Sequence, residues 1–368
     1  MSIVPSPGGP VEVGVRWATA MDPAALYQKI LAHDADAETQ LVLADALQEL
    51  GDPRGRLLVV QHALETDPWN AALQSEEVRI IDRHADALLG PLALHRYDDG
   101  LELVWHRGFV RAAAIDEKEI AAPRLIDELL GIPAVKAMAS LRIGHVLELH
   151  ACLAVLEAGR PSLRHLAVGI DRDDRRVYED AYLADLWEAV PSLESFAAGG
   201  GFLGQLRLPN LRSFDLRSAP RWDLSPLITA EWPRLQSLRL GGASVSPYSR
   251  LGEHFVDPSD VRTLIDALSS VGTLRSLSLV VEEGSDFFGQ PTTATAADLL
   301  AEHLASSEVL SRLTRLEIGG PLSQLGVEHL LGRAARFSHL ADLVLGEPEC
   351  DGPTRERLLG LARNVRLG

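Results

Sequence analysis

Polar side chains recur at alternate positions inside short apolar runs, and their types decide what chemistry is on offer. In the frame L-x-x-L-x-L-G, the third and fifth residues carry Arg142, His165, Asp215, Arg239, Ser278, Arg315 and Glu317. Period-two alternation places such positions on one face of a strand, opposite the leucines. Arginines and carboxylates in that arrangement select a partner by ion pairs and hydrogen bonds. Bond-making chemistry would need more. His145 and His150 are five apart, off any shared helical face, and have no acidic residue at metal-ligand spacing. His165 and Ser195 share a column without a nucleophile motif around the serine. "GGGFLG" (199–204) lacks the lysine that follows a phosphate-cradling loop. The expectation is a non-catalytic chain that needs no cofactor and holds no metal.

The elements that would carry these residues come from a repeat. The frame reads "MASLRIG" at 138–144, "LRHLAVG" at 163–169, "LQSLRLG" at 235–241 and "LADLVLG" at 340–346, nine copies in all to "ARNVRLG" at the C-terminus. "FVRAAAI" (109–115) is a weaker opening copy. Spacings between fourth positions run from 18 residues (196 to 214) to 39 (238 to 277). Each frame predicts a short strand with positions four and six in the core, ended by a glycine that permits an abrupt turn. Helical patterns follow at 146–158, 180–190, 260–271, 296–305 and 327–336, whereas 217–234 leaves room only for irregular structure. The frame and its spacing resemble leucine-rich repeats, the longer copies being of the ribonuclease-inhibitor type. That resemblance implies an α/β solenoid, with parallel strands on a concave face and helices on the convex one.

Loops at 242–257 and 280–294 belong to neighbouring long repeats, so they are expected side by side on one rim. They carry Tyr248, Phe255, Phe287 and Phe288, candidate aromatic anchors for a partner.

Ahead of the repeats the pattern is helical. Asp22 and Pro23 open one helix, and Leu43 and Leu47 lie on a second. Gly51 then closes the second helix while Asp52 and Pro53 start a third, so "GDPRG" (51–55) is a corner with no loop. Arg54 and Arg56 sit where the helix macrodipole disfavours cations, so a carboxylate should compensate, with Asp45 or Glu49 in reach. "ETQLVLADALQELGDPRGRLLVVQHAL" and the later "RGFV" resemble the bacterial repeat-companion domain, of myxobacterial and planctomycete type, which stands beside repeat arrays. Ala46 departs from that family's usual Trp and Arg56 from its common Glu. The family has no established activity, so the resemblance implies context and no reaction. The organisation expected is a lead-in at 1–20, a helical companion unit capping the array at 21–99 and a solenoid at 100–368.

The 368-residue chain is 46 % hydrophobic and 24 % charged, with a net charge of −17. Acidity of that size argues against non-specific nucleic-acid binding and against docking on anionic membranes. Where charge matters, a protein partner should be neutral or basic. Two distant cysteines give no disulfide framework, and Cys152 falls on a helical apolar pattern as a core residue. The first residues have Pro and Gly where a signal peptide needs an apolar run, and no apolar run approaches membrane-spanning length. These features predict a cytoplasmic interaction scaffold that recognises another protein by its concave face and rim. The alternative is an inhibitor or immunity protein occluding a basic enzyme or toxin. A third reading is catalysis in the helical unit near Asp45 and Arg54.

Overall fold

The computed structural model describes residues 37–116, 121–144, 146–157, 162–169, 182–217, 224–241, 258–281 and 296–368. The helix expected from Asp22, His145, and the rim aromatics Tyr248, Phe255, Phe287 and Phe288 lie outside the described residues.

Helices α1 (Ala37–Glu49) and α2 (Pro53–Thr66) meet at the "GDPRG" corner. Gly51 takes φ +73°, and the N–H groups of Gly51 and Asp52 donate to the carbonyls of Gln48 and Leu47 at 3.0 and 2.8 Å. These are the two bonds of a Schellman motif, which satisfies the last carbonyls of α1. Asp52 then caps α2 by accepting from the Arg54 N–H at 2.9 Å. Gly55 lets the helices cross closely, since a Cβ there would lie 2.5 Å from the Ala44 carbonyl oxygen. Arg54 does not use Asp45 or Glu49 as the sequence suggested. Its guanidinium folds back onto Asp52 itself at 2.5 Å and lies over the Phe109 ring, 5.5 Å from its centroid. The reason is reach: the cap carboxylate is two residues away and already fixed. Arg56 approaches Glu76 at 3.8 Å, on α3 (Ala71–Arg83), which precedes the short α4 (Ala85–Leu89).

A hairpin joins this helical unit to the repeats. Strands β1 (Leu101–His106) and β2 (Phe109–Ile115) pair antiparallel around Arg107 and Gly108, both at positive φ (51° and 78°). That is the backbone of a type I′ turn. Gly108 is required by contact as well as by φ, because a Cβ would meet the Arg54 carbonyl oxygen at 2.7 Å. Its N–H donates to Gln61 Oε1 at 2.7 Å, and Arg107 pairs with Glu65 at 2.5 Å. Phe109 packs with Leu43, Leu47 and Ala137. The two stretches that carry the companion-domain resemblance, "GDPRG" and "RGFV", therefore touch.

From β2 onward every strand lies parallel to the last, in chain order. They are β3 (Ser140–Ile143), β4 (His165–Val168), β5 (Ser195–Ala198), β6 (Ser213–Leu216), β7 (Ser237–Leu240), β8 (Ser276–Val280), β9 (Arg315–Gly319), β10 (Asp342–Leu345) and β11 (Asn364–Leu367). The result is an 11-stranded, mostly parallel sheet in an α/β solenoid-like arrangement. Each frame falls on a strand, including the weak copy at 109–115. Positions four and six are buried, from Leu141 and Ile143 to Leu343 and Leu345. Helices α5 (Ala122–Leu130), α6 (Leu149–Leu156), α7 (Leu186–Ala189), α8 (Ser225–Thr229), α9 (Pro258–Leu268), α10 (Ala296–Ser306), α11 (Gln324–Gly332) and α12 (Gly352–Leu359) connect them. One apolar core runs from Leu57 in α2 to Leu361 without a break at residue 100. Cys152 is fully buried in it. Among the described residues no helix is long and apolar enough to cross a membrane.

The middle of the array solves a packing problem. There the helices shrink to a single turn, and α8 lies in the segment 217–234, where the sequence left room only for irregular structure. Aromatic side chains fill the volume: Trp187, Phe196, Phe214 and Trp232 touch in series, edge-to-face or tilted, at centroid distances of 5.0, 5.7 and 5.9 Å. Both indole N–H groups find carbonyls, of Leu203 and Leu227. In the longer repeats, side chains of one repeat tie down the helix of the one before. Arg336 donates to the carbonyls of Ala305 and Ser307 at 2.9 and 2.8 Å, closing the C-terminus of α10. Asp298, 2 % exposed, accepts from the N–H and hydroxyl of Ser323.

The terminal glycine of the frame has a second reason beside the turn, which Gly169 makes with φ +60°. At Gly346 an added Cβ would lie 2.0 Å from the Gly320 carbonyl oxygen, and at Gly199 the same distance from that of Gly169. Neighbouring repeats approach too closely there for any side chain. Gly346→Ala should therefore cost about 1–3 kcal/mol by overpacking. Gly352→Ala, with open space around it, should be neutral or stabilising. Denaturant melts of the two variants check this.

Acid stability follows from the N-terminal contacts. Burial pushes Asp52 up, but hydrogen bonds from the Arg54 side chain and N–H, with its charge, hold the carboxyl below its ordinary 3.8. The Arg107 hydrogen bonds hold Glu65 below its ordinary 4.5. Folded values below the unfolded ones mean stability that is complete above those ordinary values and lost as pH falls through the lowered ones. Asp52→Asn and Glu65→Gln should each be less stable at pH 7 and show a shallower loss below about pH 4, measured by urea melts across pH.

Candidate functional site

The open face of the sheet holds the sequence-predicted polar residues in two registered rows. Ser140, His165, Ser195, Ser213, Ser237, Ser276, Arg315 and Asp342 pair strand to strand in one. Arg142, Ala167, Ala197, Asp215, Arg239, Ser278, Glu317 and Val344 pair in the other. Adjacent strands put members of a row about 4.8 Å apart, so neighbouring side chains interact directly.

The second row contains a connected network on β6–β9. Arg239 sits between two carboxylates, 3.9 Å from Asp215 Oδ1 and 3.6 Å from Glu317 Oε2. Asp215 Oδ2 also takes Arg217 at 3.2 Å, while Ser278, 7 % exposed, donates to Glu317 Oε2 at 2.9 Å. Both Arg239 contacts exceed hydrogen-bond length, so its exposed guanidinium is held in place electrostatically without its donors being used up. Asp215 Oδ1 is buried and has no hydrogen-bond partner among the described residues. Arg315 stands exposed on β9 beside Glu317, with no carboxylate paired to it among the described residues.

The other predicted residues are not part of this cluster. Arg142 lies three strands from Asp215, across Ala167 and Ala197, and is engaged by Asp116 at 2.7 Å. His165 is exposed on β4 opposite Ser195, and no hydrogen bond joins the two. The face is thus a floor of serine and alanine with one charged cluster at its centre. Its chemistry is recognition through donors and acceptors of both signs.

An aromatic pair that sequence reasoning missed lies just past the strand ends. Tyr182 and Phe202 stack at 5.2 Å with planes 16° apart, while remaining 53 % and 48 % exposed. Their backbones form an isolated parallel bridge, and Leu183 N–H donates to the Phe202 carbonyl at 2.9 Å. Phe202 stands within "GGGFLG", read above only as an unsuitable phosphate loop. The signal was an apolar ring among glycines, which cannot bury it locally.

No protein-family profile matches the chain, and no curated protein matches it. Solved structures do. A Bacteroides fragilis protein determined by a structural genomics consortium is similar with a TM-score of 0.50 at 15 % identity, over 81 % of this chain and 82 % of that one. At that identity the likeness speaks for the fold alone.

Exposed or long ion pairs add little to stability. Arg239→Ala should shift unfolding free energy by less than about 1 kcal/mol. Thermal melts check this, and a large loss would make Arg239 a structural group instead of a surface available to a partner.

Proposed function

We propose that the chain is a leucine-rich-repeat recognition module, capped at its N-terminal end by a helical unit of the repeat-companion type, that binds another protein without catalysing a reaction. The frame L-x-x-L-x-L-G, its coincidence with the strands, and the contact between "GDPRG" and "RGFV" support the two family assignments. A cap has a physical purpose here, because the first repeat would otherwise expose its leucines to water. We place the protein in the cytoplasm.

One observation carries the functional reading: Arg239, exposed and suspended between Asp215 and Glu317 on a floor of small residues. A rigid ladder holds the guanidinium at a fixed place with its N–H donors available. Binding then costs little ordering entropy, and a partner carboxylate or carbonyl can replace the long internal contacts. The serines and alanines around it leave the face sterically open. Tyr182 and Phe202 add an apolar anchor at the strand-end rim, of the kind that carries binding energy in interfaces.

The test is affinity capture from the native host with tagged wild-type chain and an Arg239→Glu, Arg315→Glu variant, read by mass spectrometry. The expected result is a protein retained by the wild type and lost by the folded variant. Equal retention by both, or no retention even at low salt, would overturn the reading. Tyr182→Ser with Phe202→Ser should weaken capture of the same protein at least about tenfold, as loss of an aromatic anchor does.

A further inference from the structure

The residue immediately before each registered frame pair forms a third column, outside the open face, along the rim where strands begin. Its backbone is continuous as far as Ala341: each N–H donates to the carbonyl of the column residue in the preceding repeat, from Ala139 to Arg111 through Arg212 to Glu194 and on to Ala341 to Thr314, while the Arg363 N–H donates to the Leu340 carbonyl. Five of these positions are arginine, namely Arg111, Arg164, Arg212, Arg275 and Arg363, against one carboxylate, Glu194. In a chain of net charge −17 that is a local inversion of sign.

Glu194 does not neutralise the column. It binds Arg164 at 2.8 Å and meets Arg212 only at 3.7 Å. Arg275 and Arg363 have no carboxylate partner among the described residues. Arg275 is steadied by donating to the carbonyls of Gly272 and Leu274, which fixes its position and leaves its charge uncompensated. One further exposed arginine joins it: Arg234 donates to Asn210 Oδ1 at 3.0 Å. Burial, and then the charge of Arg164, lower the pKa of Arg111, as expected where cations crowd together.

We infer that this strand-start rim binds an extended acidic segment of the partner protein, laid across the strands. The inference rests on the recognition reading above and names the chemistry of the segment recognised. Geometry favours an extended chain: Arg212 on the β6 rim and Arg275 on the β8 rim are two strands apart, about 9.6 Å. Acidic residues spaced by three in an extended peptide of polyproline-II form recur on one side, about 9.3 Å apart. A nucleic acid fits less well. Its phosphates would run beyond the rim onto the acidic remainder of the surface, and screening over about 8 Å does not hide that repulsion at contact.

The experiment is fluorescence anisotropy of the full chain with a labelled peptide of repeating Glu-Ser-Gly at low ionic strength. Wild type should bind it, and Arg212→Glu with Arg275→Glu should weaken binding at least about tenfold with an unchanged melting profile. A Lys-Ser-Gly peptide should not bind. The charge-matched control, Arg124→Glu with Arg262→Glu on the helical side, should keep the affinity. Equal loss in that control would reduce the effect to net charge and overturn the inference. So would tighter binding of a single-stranded oligonucleotide, or no binding of the acidic peptide at all. Failure of the peptide, while Arg239→Glu with Arg315→Glu still releases the captured protein, sinks the rim and leaves the open-face reading standing. Peptide binding with capture unaffected by that variant does the reverse.

Discussion

Everything in this chain depends on stacking one repeat a single strand-spacing from the next. At about 4.8 Å between strands, the apolar residues of successive frames meet in the core, and at Gly199, Gly241 and Gly346 an added Cβ would collide with a carbonyl of the repeat before. Arg217 and Val280 hold the same position on β6 and β8. The apolar residues at positions four and six and the glycines at those three strand ends are two consequences of that one distance. So is the open face: positions three and five are fixed in rows by the same ladder, whatever their chemistry. Function is free to vary there because stability is settled elsewhere.

The stack needs a start, and the hairpin provides it. Arg107 and Gly108 turn the chain so that β2 presents its edge to β3, while Phe109 and the Gly108 backbone dock on α1 and α2. The Asp52–Arg54 unit faces that docking ring. A helix corner and a hairpin turn, more than fifty residues apart in sequence, thus form one joint. It passes the apolar core from the helices into the repeats without interruption.

Much of this was legible in the sequence. The frame located every strand from β3 to β11 in register, because a period-two pattern with a recurring ending leaves one choice, while the weak copy at 109–115 found β2 one residue out, with Ala113 opposite Leu141. The corner was legible from Gly51, Asp52 and Pro53, whose roles are local. Partners distant in sequence were not: Arg142 found Asp116, and Phe202 found Tyr182. The alternation gave the row of Asp215, Arg239, Ser278 and Glu317, but not that it forms one network while Arg142 stands apart. The arginine rim escaped notice because net charge averages over the whole molecule. The aromatic residues Tyr248, Phe255, Phe287 and Phe288 fall outside the described residues.

The central claim is that partners are met by the sheet's open face and not by its helices. Site-specific photo-crosslinking in the native host tests it directly. A photoreactive residue in place of Ser237, beside Arg239 in the ladder, should give a covalent adduct with the bound protein. The same residue in place of Arg262 on α9 should give none. Adducts from the α9 position alone would contradict the account.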